Sequence, residues 1–458
     1  MPTSIIDHIK NTSAGLQAWR VYSKIPRPPL AWSWGGVYRQ TQEKIRSLEY
    51  ADSTCIEAYQ LAEARALVSH AIEQCPFYRK LYSDAGIHPN DIRTIDDFRR
   101  LPAIDKNIIR DNIAGMQDHR IPASAKRPVS TSGSTGTPLS IYWHWPDTEA
   151  FERAFLWHYY AWRGVTPRSR AVELRAYVSP RRKLFTYRRC NTMTVSCDAY
   201  GQHDIDTVVR AIKDYRPEVV FALPSNLWLV SRHMVHHRIK LARPLKAIIT
   251  SSEKLYPQQE EMARMAFGAE VMDLYGNTER TVQAIRCNHG RMHFVPIYGL
   301  PEVSTNGRGA AGEIISTGFG NRLMPLIRYR TGDYAEMSRD TCPCGRAWPV
   351  IEKLLGKDAD FLIRDDGTEV SVNMIWGLHI NFGDKIKEFQ FVQDAPGRVE
   401  LQYAADESLT VDQHRELLGN LQALRGISFS LTRVPVIKRG ERNKYLMVKQ
   451  NLQTSRRY

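Results

Sequence analysis

The first part of the chain carries apolar residues at helical spacing. Residues 59–68 show this spacing, and the acidic pair Asp96 and Asp97 before Phe98 is typical of the start of a short helix. We therefore predict a helical lead-in over residues 1–110.

Short apolar runs alternate with helical stretches between residues 127 and 355. The clearest examples are a helix at 205–215 followed by apolar runs at 219–223 and 247–250. Such alternation predicts α/β layers around a largely parallel sheet. Ligands usually collect where parallel strands end, which makes Ser252 and Glu253 candidate contacts.

The pattern changes after Gly356. Apolar runs at 389–392 and 399–403 precede a helical stretch at 411–424 and a further strand pattern at 428–434. These elements predict a small α+β unit. We expect two domains, a large one over residues 1–356 and a small one over residues 357–458.

Aromatic residues are dense between Trp143 and Trp162. Phe151, Phe155 and Tyr159 form one helical stripe, which is typical of a helix packed on a sheet. We expect this packing to occupy most of these aromatic residues, with one or two left as candidates to line a ligand pocket.

Composition narrows the class of protein. The chain has a formal net charge of +14, but its Lys and Arg residues are scattered, which disfavours nucleic acid and suits ATP, an acidic substrate or an acidic carrier protein. No signal-peptide pattern and no window of about 18 uninterrupted apolar residues is present, so we expect a cytoplasmic enzyme without a membrane span. Seven cysteines without a secretion signal indicate reduced thiols or metal ligands.

The run STSGSTGTP at residues 130–138 carries the strongest chemical signal. Its small residues let backbone N–H groups approach an anion, and its hydroxyls add donors. A Walker loop is disfavoured because the spacing differs and Thr137 stands where a Lys would follow the glycine. The alternative is an ordinary polar linker. The candidate phosphate contacts are Ser132, Gly133, Ser134, Thr135, Gly136 and Thr137.

Further motifs follow this loop in a fixed order. They are YGNTE at 275–279, YRTGD at 329–333, GKDAD at 356–360, and KRG at 438–440 with Lys444. Taken together, these segments resemble the adenylate-forming superfamily of acyl-CoA synthetases, peptide-synthetase adenylation domains and luciferases. The resemblance is collinear over residues 70–450.

Segments outside these motifs carry a finer resemblance. CPFYR at 75–79, the stretch 96–106, Pro217 with Pro224 and Ser225, and CPCGR at 342–346 are similar to the phenylacetate-CoA ligase branch and its CapK-like relatives. The resemblance implies a large N-terminal α/β domain and a small, mobile C-terminal α+β domain.

The resemblance also implies a reaction. A carboxylate attacks the α-phosphorus of ATP, giving an acyl-adenylate and pyrophosphate, and a thiol or amine then takes the acyl group. The loop would hold phosphates through Ser134 or Thr135, Glu279 would hold Mg²⁺, and Asp333 would accept the ribose hydroxyls. The remaining implied nucleotide contacts are Tyr275 near the adenine, with Gly276, Asn277, Thr278 and Lys357. In isolation, YGNTE is more often a turn with a solvated Glu, and TGD is more often a turn with an Asx-type hydrogen bond.

Lys444 matches the late catalytic lysine of the superfamily, and Lys438 is the second candidate. Such a lysine acts only when its domain closes over the site, and the alternative is a solvated surface lysine. The implied hinge lies at 357–360, where Lys357 replaces the usual Arg and Ala359 replaces the first acid. These departures put rotation into a second, thiol-accepting conformation in doubt.

A metal-ligand pattern accompanies these motifs. Cys287 and His293, with His289 as an alternative, precede the pair Cys342 and Cys344. Three thiols and an imidazole are the donors that tetrahedral Zn²⁺ takes, and four protein ligands leave no open position for catalysis. Some members of the phenylacetate-ligase-like branch carry a structural zinc in this region. The alternative is a group of buried free thiols.

We expect MgATP-dependent activation of a carboxylic acid, by family analogy an aryl acid, followed by transfer to CoA or a carrier-protein thiol. An adenylating ligase that forms an amide or ester in polysaccharide or natural-product biosynthesis without CoA is the second hypothesis. A catalytically degenerate binding protein is the third, favoured by the departures at Thr137, Lys357 and Ala359. Monomer and homodimer both remain open.

Overall fold

A computed structural model gives the structure of the chain in two compact units. The first contains the described residues up to Thr331 together with 337–352, and the second contains 332–336 and the described residues from Lys353 onward. The structure describes residues 30–130, 139–175, 184–188, 191–196, 205–305, 311–357, 361–371, 386, 388–405, 407–422, 425–439 and 446–452.

Side-chain caps explain where several helices begin. Asp52 accepts a hydrogen bond from the Cys55 N–H, and Thr94 forms a reciprocal capping box with Asp97. None of the described helices combines the length and the apolar character needed to cross a membrane. The helices are α1 (Leu30–Leu48, broken at Gly35), α2 (Ser53–Gln74), α3 (Pro76–Asp84), α4 (Ile95–Arg99), α5 (Lys106–Asn112), α6 (Asp147–Ala161), α7 (Ile205–Tyr215), α8 (Pro224–His236), α9 (Pro257–Phe267) and α10 (Val411–Gln422). The predicted helical lead-in is confirmed over its described part.

A hairpin frames the predicted phosphate loop. Strands β1 (Lys126–Ser130) and β2 (Ser140–His144) are antiparallel, and Ser130 lies opposite Ser140. The hairpin therefore brings Ser130 and Ser140, the residues on either side of this stretch, opposite each other.

A sheet of twelve strands forms the centre of the fold, in the order β11-β12-β13-β14-β10-β9-β8-β7-β6-β3-β5-β4. Its strands are β3 (Ala171–Leu174), β4 (Phe185–Arg188), β5 (Thr192–Val195), β6 (Val219–Ala222), β7 (Ala247–Ser251), β8 (Val271–Gly276), β9 (Gln283–Arg286), β10 (Met292–Phe294), β11 (Gly299–Ser304), β12 (Ala311–Gly318), β13 (Tyr329–Met337) and β14 (Val350–Lys357).

The expectation of a largely parallel sheet is wrong for the sheet as a whole. Among the pairings given for the described strands, β5-β3-β6-β7-β8 pair in parallel, whereas β4 to β5, β8 to β9, β9 to β10, β10 to β14 and β11 to β12 are antiparallel. The reason is the connection: helices α7, α8 and α9 return the chain for parallel pairing, whereas no described helix lies between β8 and β14.

Both faces of the parallel part are buried. Along β6, Val219 packs with Phe155 and Tyr159 of α6, while Val220 packs with apolar residues of α7 and α8 such as Ile212. This alternation follows from the two-residue period of a strand. It confirms that the aromatic stripe of α6 belongs to the core.

The second unit has a small sheet of its own. Gln393 on β17 ties β15 to this sheet, because its side chain accepts from the Ile363 N–H and donates to the Ile363 carbonyl oxygen. The predicted α+β character is confirmed. The strands are β15 (Phe361–Ile363), β16 (Glu369–Ser371), β17 (Glu388–Ala395), β18 (Arg398–Ala404), β19 (Ser428–Arg433) and β20 (Val448–Gln450), with sheet order β19-β18-β17-β20.

Candidate functional site

Part of the predicted site lies outside the described residues. Outside the described part lie the catalytic candidate Lys444 and the side chain of Lys357. The predicted phosphate contacts also lie there: Ser132, Gly133, Ser134, Thr135, Gly136 and Thr137. The alternative lysine, Lys438, is exposed. The roles of all these residues stay predictions.

The YGNTE motif forms the end of β8 and the turn after it. Tyr275 and Gly276 are the last residues of the strand, and Asn277 closes the turn. The Asn277 side chain donates to the Thr281 hydroxyl at 2.7 Å and accepts from the Thr281 N–H at 2.9 Å. These paired bonds give residues 277–281, which we call the Glu279 turn, a fixed shape at the carboxyl edge of the parallel strands.

Glu279 is buried in this turn, with 7% of its surface exposed. Its Oε1 accepts a hydrogen bond of 2.6 Å from the Tyr329 hydroxyl, and no other hydrogen bond from a described residue reaches the carboxylate. Tyr329 thus fixes one oxygen and leaves the other for a ligand. A carboxylate oxygen of this kind fits Mg²⁺, which prefers hard oxygen donors.

Two glycines allow the Glu279 turn to pack against β11 and β12. A Cβ at Gly318 would lie 2.3 Å from the Arg280 carbonyl oxygen, and one at Gly299 would lie 2.7 Å from that of Thr281. Both distances are below any real contact, so no larger residue fits without moving the turn.

Arg280 follows Glu279 and has a left-handed backbone, with φ of 54°. Its guanidinium lies 3.6 Å from the centre of the Trp143 ring. It donates to the Thr148 carbonyl oxygen at 2.7 Å and to the Glu149 carboxylate at 2.6 Å. The side chain of Arg280 is only 11% exposed, so these contacts form away from bulk water.

Other predicted residues occupy separate positions. Ser252 is exposed after β7, with φ of 75°. The Glu253 carboxylate accepts the N–H of Ser225 in the first turn of α8 at 3.0 Å, so part of its bonding capacity is already used. Asp333 is buried on β13, with 8% exposure. The nucleotide roles of Ser252, Glu253 and Asp333 remain predictions.

The predicted metal ligands converge. The ligand atoms of Cys287, His293, Cys342 and Cys344 all lie within 4.8 Å of one another. The Cys287 and Cys342 sulfurs are 3.7 Å apart, and the Cys344 sulfur is 3.6 Å from His293 Nε2. His289 is exposed and lies outside this group, which we call the Cys/His cluster.

The hydrogen bonding and protonation of His293 suit a metal ligand, whereas the thiols of the Cys/His cluster differ in pKa. His293 Nδ1 lies 3.2 Å from the Trp348 carbonyl oxygen, a contact that requires the proton on Nδ1 and turns an unprotonated Nε2 towards the thiols. Burial lowers the pKa of His293, which favours this neutral form. Burial raises the pKa of the Cys342 thiol to about 11. At Cys344 burial acts in the same direction, but hydrogen bonds from Arg346 outweigh it and lower the pKa.

Arg346 anchors the turn that carries Cys344. It is buried, forms hydrogen bonds to the Glu49 carboxylate, and lies 4.0 Å from the centre of the Trp162 ring. His158 Nε2 lies 2.9 Å from the second Glu49 oxygen. This ion pair ties the Cys/His cluster to the end of α1 and to α6.

Sequence reasoning missed the partners of the motif residues. Tyr329 opens the YRTGD motif, but nothing in that motif assigns it to Glu279, and no motif singles out Arg280. The position of Arg280 directly after Glu279 was the available signal. No local pattern connects it to Trp143 or Glu149.

Comparisons with known proteins agree with this geometry. No family model matches the chain. Phenylacetate-coenzyme A ligase of Aromatoleum evansii is 26% identical over 344 residues, covering 70% of this chain and 74% of the relative. Protein CapK of Staphylococcus aureus is 22% identical over 354 residues, covering 74% and 77%.

A solved structure of 2-hydroxyisobutyryl-CoA ligase in the postadenylation state, in complex with R3-HIB-AMP, matches with a TM-score of 0.69. The identity is 18%, and the match covers 88% of this chain and 91% of that one. The chain is therefore similar in sequence to phenylacetate-coenzyme A ligases and to protein CapK, and similar in fold to 2-hydroxyisobutyryl-CoA ligase.

Proposed function

We propose that the protein uses MgATP to activate a carboxylic acid as an acyl-adenylate with release of pyrophosphate. The observation that carries this proposal is Glu279, a buried carboxylate with one oxygen held by Tyr329, in a fixed turn at the carboxyl edge of the parallel strands. The relatives named as ligases, and the neighbour bound to an acyl-AMP, support it.

Each group has a distinct task in this proposal. Mg²⁺ neutralises phosphate oxygens as two anions come together. Glu279 would hold this ion, the hydroxyls and N–H groups of 132–137 would hold the phosphates, and Asp333 would hold the ribose. We expect ATP and the acid to bind to the predicted large domain at residues 1–356, and Lys444 to act from the predicted small domain at residues 357–458. No general base is needed, because the acid is already ionised at neutral pH.

Acid-dependent exchange of labelled pyrophosphate into ATP tests the adenylation step. The expected result is exchange that requires both Mg²⁺ and one member of an acid panel that includes phenylacetate, and that falls sharply in Lys444→Ala. No exchange with any acid, together with an unchanged Lys444→Ala variant, would contradict the proposal and favour a binding protein.

We propose CoA as the acceptor, because the relative from Aromatoleum evansii and the solved neighbour are named as CoA ligases. The adenylated product should then convert to a thioester when CoA is added, and mass spectrometry identifies it. A product formed only with a carrier-protein thiol, an amine or a hydroxyl compound would instead favour the hypothesis without CoA.

We also propose that the Cys/His cluster holds a structural Zn²⁺ through Cys287, His293, Cys342 and Cys344, because three thiols and one imidazole are its tetrahedral donor set. We expect one equivalent of zinc by elemental analysis. Removing it with a chelator should lower the melting temperature without changing the Mg²⁺ dependence of exchange. Full occupancy in a Cys342→Ser/Cys344→Ser variant would contradict this site, and Cys55→Ser, at an exposed thiol, is the matched control.

A further inference from the structure

Arg175 is a partly buried arginine at the edge of the sheet where the parallel strands end. It directly follows Leu174, the last residue of β3, and β3 lies between β5 and β6. The buried Nε of Arg175 has no hydrogen-bond partner, and no described carboxylate forms an ion pair with the guanidinium. Holding a charged group away from water without a partner costs free energy. An unpaired cation at the edge where parallel sheets bind ligands indicates a site for an anionic group.

Two aromatic rings lie beside Arg175. The central guanidinium carbon is 5.8 Å from the centre of the Phe221 ring on β6. The Tyr160 ring of α6 meets Phe221 edge to face, with the two ring centres 5.2 Å apart. Both rings offer apolar surface next to the cation. A ligand held here would therefore place an apolar or aromatic part beside its anionic group.

The Tyr160 hydroxyl is a second donor in this region. Tyr160 has 5% of its surface exposed, and no described residue forms a hydrogen bond with its hydroxyl. Burial raises the pKa of Tyr160, and the positive charges of Arg175 and Arg153 oppose this effect only in part. The hydroxyl therefore keeps its proton at neutral pH and can donate to an anion that the guanidinium attracts.

Two nearby carboxylates do not neutralise Arg175. Glu152 accepts a hydrogen bond of 2.6 Å from the Tyr298 hydroxyl. Glu173, two residues before Arg175, accepts one of 2.9 Å from the Thr194 hydroxyl. Both carboxylates thus have other donors, and neither forms an ion pair with the guanidinium. The positive charge of Arg175 is left for a ligand.

The distance from Arg175 to the Glu279 turn indicates which part of a ligand would reach it. Strands β3, β6, β7 and β8 are successive neighbours, with Leu174 and Asp273 in the same row of paired residues. A spacing of about 4.8 Å between strands places β3 about 14 Å from β8. The Arg175 side chain covers part of this distance. An acid that reacts beside the Glu279 turn would therefore meet Arg175 with its far end, and not with the reacting carboxylate.

We propose that Arg175 binds a second carboxylate, at the far end of an acid substrate whose apolar or aromatic body lies against Phe221 and Tyr160. The substrate class is then a dicarboxylic acid, of which one carboxylate is adenylated while the other stays ionised at Arg175. The inference rests on the proposed function, which leaves the acid open. A planar guanidinium can bind a carboxylate through two parallel N–H donors, which a lysine cannot do.

The test measures pyrophosphate exchange with matched acids that differ only in the terminal group. One set is phenylacetate with a carboxymethyl, a methyl or an aminomethyl group para to the reacting arm, and adipate with hexanoate is the aliphatic pair. We expect kcat/KM to be about 10- to 100-fold higher for the dicarboxylic member of a set, the range expected for hydrogen bonds to a charged group.

Substitutions assign this preference to Arg175. Arg175→Gln should remove it, mainly through a higher KM for the dicarboxylic acid, and Arg175→Lys should keep part of it because the charge remains. Arg175→Glu should shift the preference towards the aminomethyl acid. The matched control is Arg163→Gln: Arg163 also has a buried Nε without a partner, but it lies directly after α6 and before β3. The control should leave the preference unchanged.

Each outcome supports or overturns the inference. Exchange in wild type with no preference for the dicarboxylic acids overturns it and leaves the proposed function standing, and this comparison does not depend on whether any variant folds. A preference that survives in Arg175→Gln overturns it too, as does an equal loss of preference in Arg163→Gln. Absence of exchange with every acid overturns the proposed function, and this inference with it.

Discussion

Two largely buried arginines, Arg280 and Arg346, make the same kinds of contact in different parts of the first unit. Arg280 lies 3.6 Å from the centre of the Trp143 ring and pairs with Glu149; Arg346 lies 4.0 Å from that of Trp162 and pairs with Glu49. Each joins segments that are distant in the sequence.

The difference lies in what each arginine adjoins. Arg280 is next to the Glu279 turn, whereas Arg346 is next to the Cys/His cluster. In both places an arginine cation lies on a tryptophan ring. Arg280 adjoins the Glu279 turn, for which we propose a catalytic role, and Arg346 adjoins the Cys/His cluster, for which we propose a structural role. The role of such an arginine therefore depends on which neighbouring segment it holds in place, because its own contacts are alike in the two positions.

The largest effect is expected when the contacts of Arg346 are removed, and it is a loss of unfolding free energy. Arg346→Gln leaves Glu49 buried with only His158 as its partner, and breaking a buried pair costs about 3–5 kcal/mol of unfolding free energy. We expect this loss in urea unfolding followed by circular dichroism. Exchange per folded molecule should stay near wild type, and a shifted Mg²⁺ dependence would contradict the contrast with Arg280.

The next effect concerns the residue beside Arg280. Glu279→Gln keeps an acceptor for the Tyr329 hydroxyl but removes the charge, so we expect exchange to fall about 100-fold or more with little change in melting temperature. Glu260→Gln, which removes the charge of the Arg286 partner, is the control. Equal losses of exchange in the two variants would contradict a catalytic role for Glu279.

Two glycine substitutions, one near each arginine, are expected to have smaller effects. Gly318→Ala places a methyl group against the carbonyl oxygen of Arg280, and overpacking of this kind costs about 1–3 kcal/mol. Because the strain falls on the Glu279 turn, exchange should fall as well. Gly345→Ala, beside Arg346, has space around its Cβ but a φ of 78°, so it should cost about 1 kcal/mol and leave exchange unchanged.

The smallest effect is a dependence on pH. Burial would raise the pKa of Glu49, but hydrogen bonds and charge from His158 and Arg346 outweigh it and hold the pKa below its ordinary value of 4.5. This stabilisation is complete above that value and is lost as the pH falls through the lower native pKa. Glu49→Gln should therefore flatten the decline of unfolding free energy below pH 4.5, and an unchanged slope would contradict the assignment.

Much of the fold follows from local patterns. The α7 helix has the predicted bounds, and the apolar runs at 219–223 and 247–250 form β6 and β7. The directions in which the strands pair could not be predicted in this way, because a short apolar run has the same pattern in a parallel and in an antiparallel pair. The sheet changes to antiparallel pairing after β8, where helical connections stop.

The candidate site also contains features that the sequence predicted and features that it did not predict. The four metal-ligand candidates converge because β10 pairs with β9 on one side and with β14 on the other, and the segment with Cys342 and Cys344 leads into β14. Clustered cysteines and histidines indicate such a site from the sequence alone, because few other roles need these residue types together. The Tyr329 bond to Glu279 had no comparable signal, because a buried tyrosine is equally typical of the core.

The sequence by itself determined the order of motifs, the resemblance to adenylate-forming ligases and the residue types at each candidate site. Only the tertiary structure decided which side chains meet: Arg280 with Glu149, Tyr329 with Glu279, and Arg346 with Glu49. The physical reason is that periodicity and turn chemistry act over a few residues, whereas these pairs form only after the sheet brings distant segments together.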